Sequence, residues 1–170
     1  HFHALATAHD LRRVVPDRDS RSIGHESTFA DDLVAATDCH RVLLRHAEGV
    51  GRRLRRAKLV AKTVRLKFRY PDFETHTRQV RLEMPTQDDL VIYGEARRLF
   101  DAARPGRRPM RLLGVSAADL EAEGSCRQLG LFDDPEAAGK SQRVLETMDR
   151  IRDRFGDGAI SHGGKPKPSS

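Results

Sequence analysis

Tryptophan is absent from this 170-residue chain, and aromatic residues make up only 5% of it. A surface that stacks successive bases on aromatic rings, the equipment of most single-stranded RNA binders, is therefore not expected. Cysteine is scarce as well. Cys39 and Cys126 match no zinc or redox spacing, so both read as reduced thiols of a cytosolic protein. No run of about 18 apolar residues exists, which argues against a membrane helix, and no secretory leader is visible. The chain also lacks a G-x-G-x-x-G turn after a strand, a P-loop, a G-x-S-x-G elbow and an H-E-x-x-H helix.

Acids come in adjacent pairs at Asp31-Asp32, Asp88-Asp89 and Asp133-Asp134. Two-metal phosphoryl chemistry needs carboxylates that converge from different elements. The first two pairs fall where helices are expected to start, so capping accounts for them, and the third follows a tail motif described below. His1 and His3 form an H-x-H pair in the opening H-F-H-A-L-A-T-A-H-D, which reads as the end of a helix rather than as a metal site. No catalytic residue and no cofactor is expected in this chain, which reads as a binder.

What the chain has is positive charge. The formal net charge is +6 and the pI about 9.8. From Arg41 to Arg69 eleven Lys and Arg stand against one acid, Glu48. Charge this concentrated is either a solvated helix face or a surface for a polyanion.

The apolar pattern gives the elements. Arg21–Phe29 reads as a strand, with Ile23 and Phe29 on one side and Ser22, Gly24, Glu26 and Thr28 on the other. From about Asp31 to Arg56 the period becomes helical, with Leu33, Ala36, His40, Leu43, Ala47, Val50 and Leu54 inward. Asp31 and Asp32 would form the acidic first turn. Arg41, Arg45, Arg52, Arg53, Arg55 and Arg56 would lie on the opposite face, and His40 would be a hydrogen-bonded packing residue. Two strands follow around the turn P-D-F-E, Pro71–Glu74. Val60, Val64, Leu66, Phe68 and Tyr70, then Val80, Leu82 and Met84, share an apolar face interrupted by Lys62. Thr63, Arg65, Lys67 and Arg69, then Thr75, Thr77, Gln79, Arg81 and Glu83, share a polar one. A half-buried antiparallel pair fits this alternation.

P-T-Q-D-D opens a second helix, with Thr86 as N-cap, an inner stripe of Leu90, Tyr93, Ala96, Leu99, Phe100 and Ala103, and a stop at R-P-G. Met110–Val115 is a last strand. The fold class is α+β in the order β-α-β-β-α-β, the split layout of a ferredoxin-like sheet: four strands with two helices on one face. The other face stays open and carries Arg65, Lys67, Arg69, Arg81 and Arg111. Arg and Lys bring charge to phosphates there, and Ser22, Thr28 and the amides near Gly24 bring donors. Beyond Leu120 a tail holds a short amphipathic helix at 142–155, with Val144, Leu145, Met148, Ile151 and Phe155 on one side. The last residues, G-G-K-P-K-P-S-S, read as disordered.

In that tail stands R-Q-L-G-L-F-D-D, Arg127–Asp134, where Leu129, Leu131 and Phe132 are surrounded by glycine, acid and proline. Either they fold back on the domain or another protein buries them.

Several motifs carry a resemblance together: S-I-G-H-E-S-T-F, A-K-T-V-R-L-K-F-R-Y-P-D-F-E-T-H-T-R, M-P-T-Q-D-D and M-R-L-L-G-V-S-A-A-D-L, in that order. They resemble the C-terminal little-finger domain of Y-family DNA polymerases, bacterial DNA polymerase IV above all, over residues 21–120. Residues 1–20 then look like the end of the thumb and a linker, and 121–170 like a tail. The resemblance implies sequence-independent gripping of duplex primer-template DNA beside a translesion polymerase active in damage tolerance. It implies backbone contacts from Ser22, Gly24, Thr28, Arg65, Lys67, Arg69, Arg81 and Arg111. Metal-binding carboxylates, and the Mg that a parent polymerase uses, would belong to a palm domain not contained here. Gln128, Leu129, Leu131 and Phe132 look like the motif by which such polymerases dock on the sliding clamp, although 38 residues follow Phe132 and the motif often ends its chain. The partners implied are duplex DNA, the clamp and the rest of the polymerase in a bacterial cytoplasm, with no membrane. A catalytically inactive paralogue acting as a mutagenesis adaptor would have the same domain.

Overall fold

The computed structural model describes residue 7 and residues 21–103, 108–124 and 135–163, with side chains of the last segment from residue 140 onward. The linker at 14–20, the R-P-G stop, Cys126, the motif at 128–132 and the final G-K-P-K-P-S-S lie outside the described residues. The element order is β1 (Ser22–Leu33), α1 (Ala36–Ala57), β2 (Leu59–Arg69), β3 (Thr75–Thr86), α2 (Asp89–Ala103), β4 (Met110–Ala122) and α3 (Pro135–Phe155). The expected α+β fold and the β-α-β-β-α-β order are both present.

The four strands form one sheet in the order β1-β4-β2-β3, every neighbouring pair antiparallel. Both crossovers are split: β4 separates β1 from β2, and β2 separates β3 from β4. The central strands are thus β2 and β4, a point on which element order alone is silent. Helices α1 and α2 pack on one face. Leu43, Ala47, Val50 and Leu54 of α1 and Ile92, Ala96 and Phe100 of α2 meet Val64, Leu66, Phe68, Leu113, Val115 and Ala117 of the sheet. Fully burying each Val, Leu, Ile or Phe among them contributes about 1.5–3 kcal/mol before conformational entropy is set against it.

Several boundaries move. β1 runs to Leu33, and α1 starts at Ala36 with Asp38 in its first turn, so Asp31 and Asp32 are strand residues rather than a helix start. The reason is a register shift between Thr28 and Leu33 that lets Leu33 pair with Met110 and bury. β4 continues well past Val115 to Ala122, because β2 pairs with it as far as Leu59↔Ala122. Lys62 breaks the alternation of β2 through an irregularity between Ala61 and Thr63, and both of these neighbours are buried. The P-D-F-E turn closes with Phe73 N–H donating to the Tyr70 carbonyl and Tyr70 N–H to the Glu74 carbonyl, both at 3.0 Å.

In α2 the cap is Asp88, not Thr86. Asp88 Oδ1 accepts from the Leu90 N–H at 2.8 Å, while Thr86 Oγ1 accepts from the Asp88 N–H at 3.0 Å. The buried stripe is rotated accordingly: Ile92 is fully buried and Leu90 is exposed. His40 is the hydrogen-bonded packing residue expected, with Nε2 2.7 Å from Asp101 Oδ1 and its ring edge-on to Phe100.

The helix expected at 142–155 is longer, and it covers α1. Leu145 and Met148 are buried, whereas Val144 and Phe155 are exposed. What decides its seat is charge. Of the arginines expected on an open face of α1, Arg52 and Arg55 lie under it, whereas Arg41 and Arg45 stay exposed. Arg55 donates to Asp149 from Nε at 2.7 Å and to Asp89 from Nη1 at 2.7 Å. Arg152 of α3, 4% exposed, reaches Glu48 at 3.1 Å and donates from Nε to the Ile160 carbonyl at 3.0 Å. Arg52 pairs with Asp153 and Asp157. Burial pushes the Asp89 carboxyl up, to about 6, against the pull of Arg55 and Arg152. Desolvation outweighs attraction at Asp89, whereas at Arg55 the carboxylates of Asp149 and Asp89 outweigh it and hold the guanidinium more firmly charged.

Gly51 of α1 is where the backbone passes Asp89: an added Cβ would overlap Asp89 Oδ1 and stand 3.0 Å from the Gln87 carbonyl oxygen. Gly51→Ala is expected to destabilise by about 1–3 kcal/mol in urea unfolding, the cost of an overpacked contact. Asp89 adds a pH dependence. Its folded pKa of about 6 lies above the ordinary carboxylate value of 3.8. The folded state therefore takes up a proton that the unfolded chain does not as pH falls from about 6 to about 4. Wild type should gain stability relative to Asp89→Asn over that interval, read from denaturant midpoints at pH 7 and pH 5.

Candidate nucleic-acid interface

Register places the open face residue by residue. Paired residues of neighbouring antiparallel strands point the same way, so the ladder pairs form rows across β1, β4, β2 and β3. The rows are Ser22, Ala118, Thr63, Arg81; Gly24, Ser116, Arg65, Gln79; Glu26, Gly114, Lys67, Thr77; and Thr28, Leu112, Arg69, Thr75. Seven of the eight residues expected on this face stand in these rows together: Ser22, Gly24, Thr28, Arg65, Lys67, Arg69 and Arg81. No aromatic residue does, so the face offers no stacking platform.

Arg111 stands apart. It has the opposite parity to Leu112, Gly114 and Ser116, and its Nη1 turns back to β1, donating to the Ala30 carbonyl at 3.0 Å and to Asp32 at 3.4 Å. Repeating the alternation of β2 along β4 would have revealed this from sequence.

The cations are held by light, mostly neutral partners. Arg65 Nε donates to Gln79 Oε1 at 2.9 Å and Arg69 Nε to Thr75 Oγ1 at 2.7 Å. Arg81 is exposed and makes no ion pair among the described residues. Lys67 differs: its Nζ is 2.9 Å from Glu26 Oε2. Thr63 is buried and donates to Asp119 of β4 at 2.5 Å.

Two glycines shape the surface. A Cβ on Gly24 would come 2.8 Å from Ser116 Cβ, and one on Gly114 would come 2.8 Å from Glu26 Cβ. Together with Glu26, Lys67 and Ser116 they line a depression of ≈ 260 Å³ on this face. From the helix layer Arg53 Nη2 donates to the Gly24 carbonyl at 2.6 Å. Behind β1, His25 stacks on His46 at 4.6 Å, and burial first, then His25, pulls His46 down to about 4, which keeps it neutral near pH 7. Ser27 hydrogen-bonds His46 at 3.0 Å. These contacts fix β1 from the rear.

Sequence reasoning missed Ser116, because β4 was expected to end at Val115, and Gly114, because Arg111 was put on the face by its charge and the alternation of β4 was not followed. It also missed that Arg53 holds Gly24, a long-range contact with no local signal. Among the described residues no group of three or more His, Cys, Asp or Glu could hold a metal ion, and no helix is long and apolar enough to cross a membrane.

Comparison with known proteins agrees with this architecture. The family model of the impB/mucB/samB family C-terminal domain matches residues 20–131. A DNA polymerase IV of Desulfatibacillum aliphaticivorans is 37% identical over 159 residues, which is 94% of this chain and 40% of the relative. One from Brucella melitensis biotype 1 is 34% identical over 162 residues, 95% of this chain and 36% of the relative. One from Halorhodospira halophila is 40% identical over 120 residues, 71% and 34% respectively. The chain thus spans well under half the length of these relatives. Among solved structures, a complex of beta-clamp processivity factor and little finger domain of PolIV matches with a TM-score of 0.50 and 27% identity, covering 66% of this chain and 99% of that one. By matched sequence and by fold, the chain belongs to the impB/mucB/samB family, whose C-terminal domain occupies residues 20–131.

Proposed function

We propose that this chain is the duplex-gripping and clamp-docking part of a translesion DNA polymerase IV that acts in DNA damage tolerance in a bacterial cytoplasm. Residues 21–120 form the gripping domain, 1–20 the end of the thumb with its linker, and 121–170 the tail. The observation that carries the reading is the open face itself. Arg65, Lys67 and Arg69 alternate along β2, with Arg81 beside them on β3, and among the described residues no helix covers them. Alternate residues of a strand stand roughly 7 Å apart, so the three on β2 span a length comparable with the roughly 12 Å width of a B-DNA major groove.

Arg65, Lys67, Arg69 and Arg81 would neutralise phosphates. Ser22 and Thr28 would donate hydroxyl hydrogen bonds, and Gly24 would admit the DNA backbone close to the main chain. Arg111 would contribute from the end of the sheet after leaving Asp32. Such contacts position a duplex without reading its sequence. A sheet face without aromatics favours this over an RNA-stacking role. Gln128, Leu129, Leu131 and Phe132 would dock on the sliding clamp, Gln128 in a polar pocket and the apolar side chains in a cleft; a few buried anchors of this kind carry most of an interface's affinity. The structural relative bound to a clamp supports this assignment. Nucleotidyl transfer and Mg2+ would be the business of the parent's palm domain.

Arg65→Ala combined with Arg81→Ala should weaken binding to a random-sequence duplex and reduce the slope of log affinity against log salt by roughly 1.8, at about 0.9 per phosphate contact. A fluorescence-anisotropy titration between 50 and roughly 200 mM salt measures both, and an unaltered slope would remove the sheet face from consideration. For the tail, Leu131→Ala with Phe132→Ala should abolish binding to a purified bacterial sliding clamp while leaving duplex affinity unchanged, as followed by surface plasmon resonance.

A further inference from the structure

An acid stands in the middle of the open face. Glu26 is the only carboxylate in the four rows, and it lies directly across from Lys67. Between them in register is Gly114, the one position of that row with no side chain. Glu26 lies down over it: a Cβ on Gly114 would come 2.8 Å from Glu26 Cβ. The carboxylate thereby crosses a whole strand to reach Lys67 Nζ at 2.9 Å.

Fold stability does not explain this pair. The side chains are 53% and 39% exposed for Glu26 and Lys67, and a pair this wet contributes little to folding. Its effect falls on whatever polyanion approaches. Lys67 is neutralised beforehand, so a phosphate must displace Glu26 to use it. The displaced carboxylate then remains on a surface facing other phosphates, where like charge is unfavourable. The neighbouring rows have no such device: Arg65 and Arg69 are held by Gln79 and Thr75, which carry no charge to compete.

We propose that Glu26 is a built-in brake on DNA affinity: through its ion pair with Lys67 across Gly114 it keeps the grip on duplex weaker and less salt-dependent than the cations alone would make it. The inference rests on the duplex-binding reading of the open face. A loosened grip suits a surface that must release one register of the duplex to take the next. Glu26 acts through Lys67 and on the approaching phosphates, and it has no part in chemistry.

The test compares duplex binding by the 170-residue wild type, Glu26→Gln, Lys67→Met and the double variant across a salt titration, with thermal melting to confirm that all four are folded. Gln keeps the shape that lies over Gly114. Glu26→Gln should bind about fivefold more tightly near physiological salt, the order of one exposed ion pair, and its log–log salt slope should steepen by roughly 0.9, one recovered phosphate contact. In the Lys67→Met background the same substitution should change the slope by nothing. Equal or weaker binding by Glu26→Gln overturns the brake, as does a slope change that persists without Lys67. A wild type with no salt-dependent duplex binding at all would instead overturn the reading of the face, leaving the two failures distinguishable.

Discussion

The antiparallel ladder between β2 and β4 is the constraint on which the rest depends. It runs from Leu59↔Ala122 to Arg69↔Leu112 through the centre of the sheet. Because side chains alternate with a period of two, that single register settles which residues meet the helices and which meet solvent. Val64, Leu66 and Phe68 go inward beside Leu113, Val115 and Ala117. Arg65, Lys67 and Arg69 go outward beside Leu112, Gly114 and Ser116. A slip of one residue would bury the cations and expose the core, so hydrophobic burial and the charge pattern of the open face are enforced by the same set of hydrogen bonds.

Much of this was legible in sequence, and the reasons are local. β2 and β3 alternate cleanly over enough residues for their faces to be assigned without a fold. What failed did so where a distant contact outvoted the local pattern. Asp31 and Asp32 look like a helix start, but the chain stays extended because Leu33 finds Met110. Leu90 fits a helical stripe and is exposed, since α2 turns Asp89 and Ile92 inward and Asp89 is claimed by Arg55. The parity of Arg111 was readable once β4 was taken as a strand, and was missed because it was grouped by charge instead of by alternation. Arg53 reaching Gly24, and Glu26 reaching Lys67, are pairings that only assembled strands and helices create.

The third helix changes the meaning of the basic segment. Counting charge from Arg41 to Arg69 suggests one continuous polyanion surface. The fold divides it in two. The part on β2 faces outward, while Arg52 and Arg55 of α1 are spent on the acids of α3. Asp149 and Asp153, four residues apart, share one face of α3, and Asp157 adds a third acid from the turn just beyond its end. Net charge alone therefore overstates the cationic area that a ligand can meet.

The order β1-β4-β2-β3 also has a bearing on how the chain comes into being. Each central strand has at least one partner far away along the polypeptide, β4 for β2 and both β1 and β2 for β4, and β4 is the last strand to be made. Until the ribosome has released the chain as far as about Ala122, β1 has no neighbour at all and β2 has only its hairpin mate. Closing loops that long is slow compared with local pairing. By then α1 and α2 have already been made and can cover Val64, Leu66 and Phe68, so what the nascent hairpin lacks is a flank: the backbone edge of β2 that β4 will occupy stays open to solvent or to another strand until the final segment arrives.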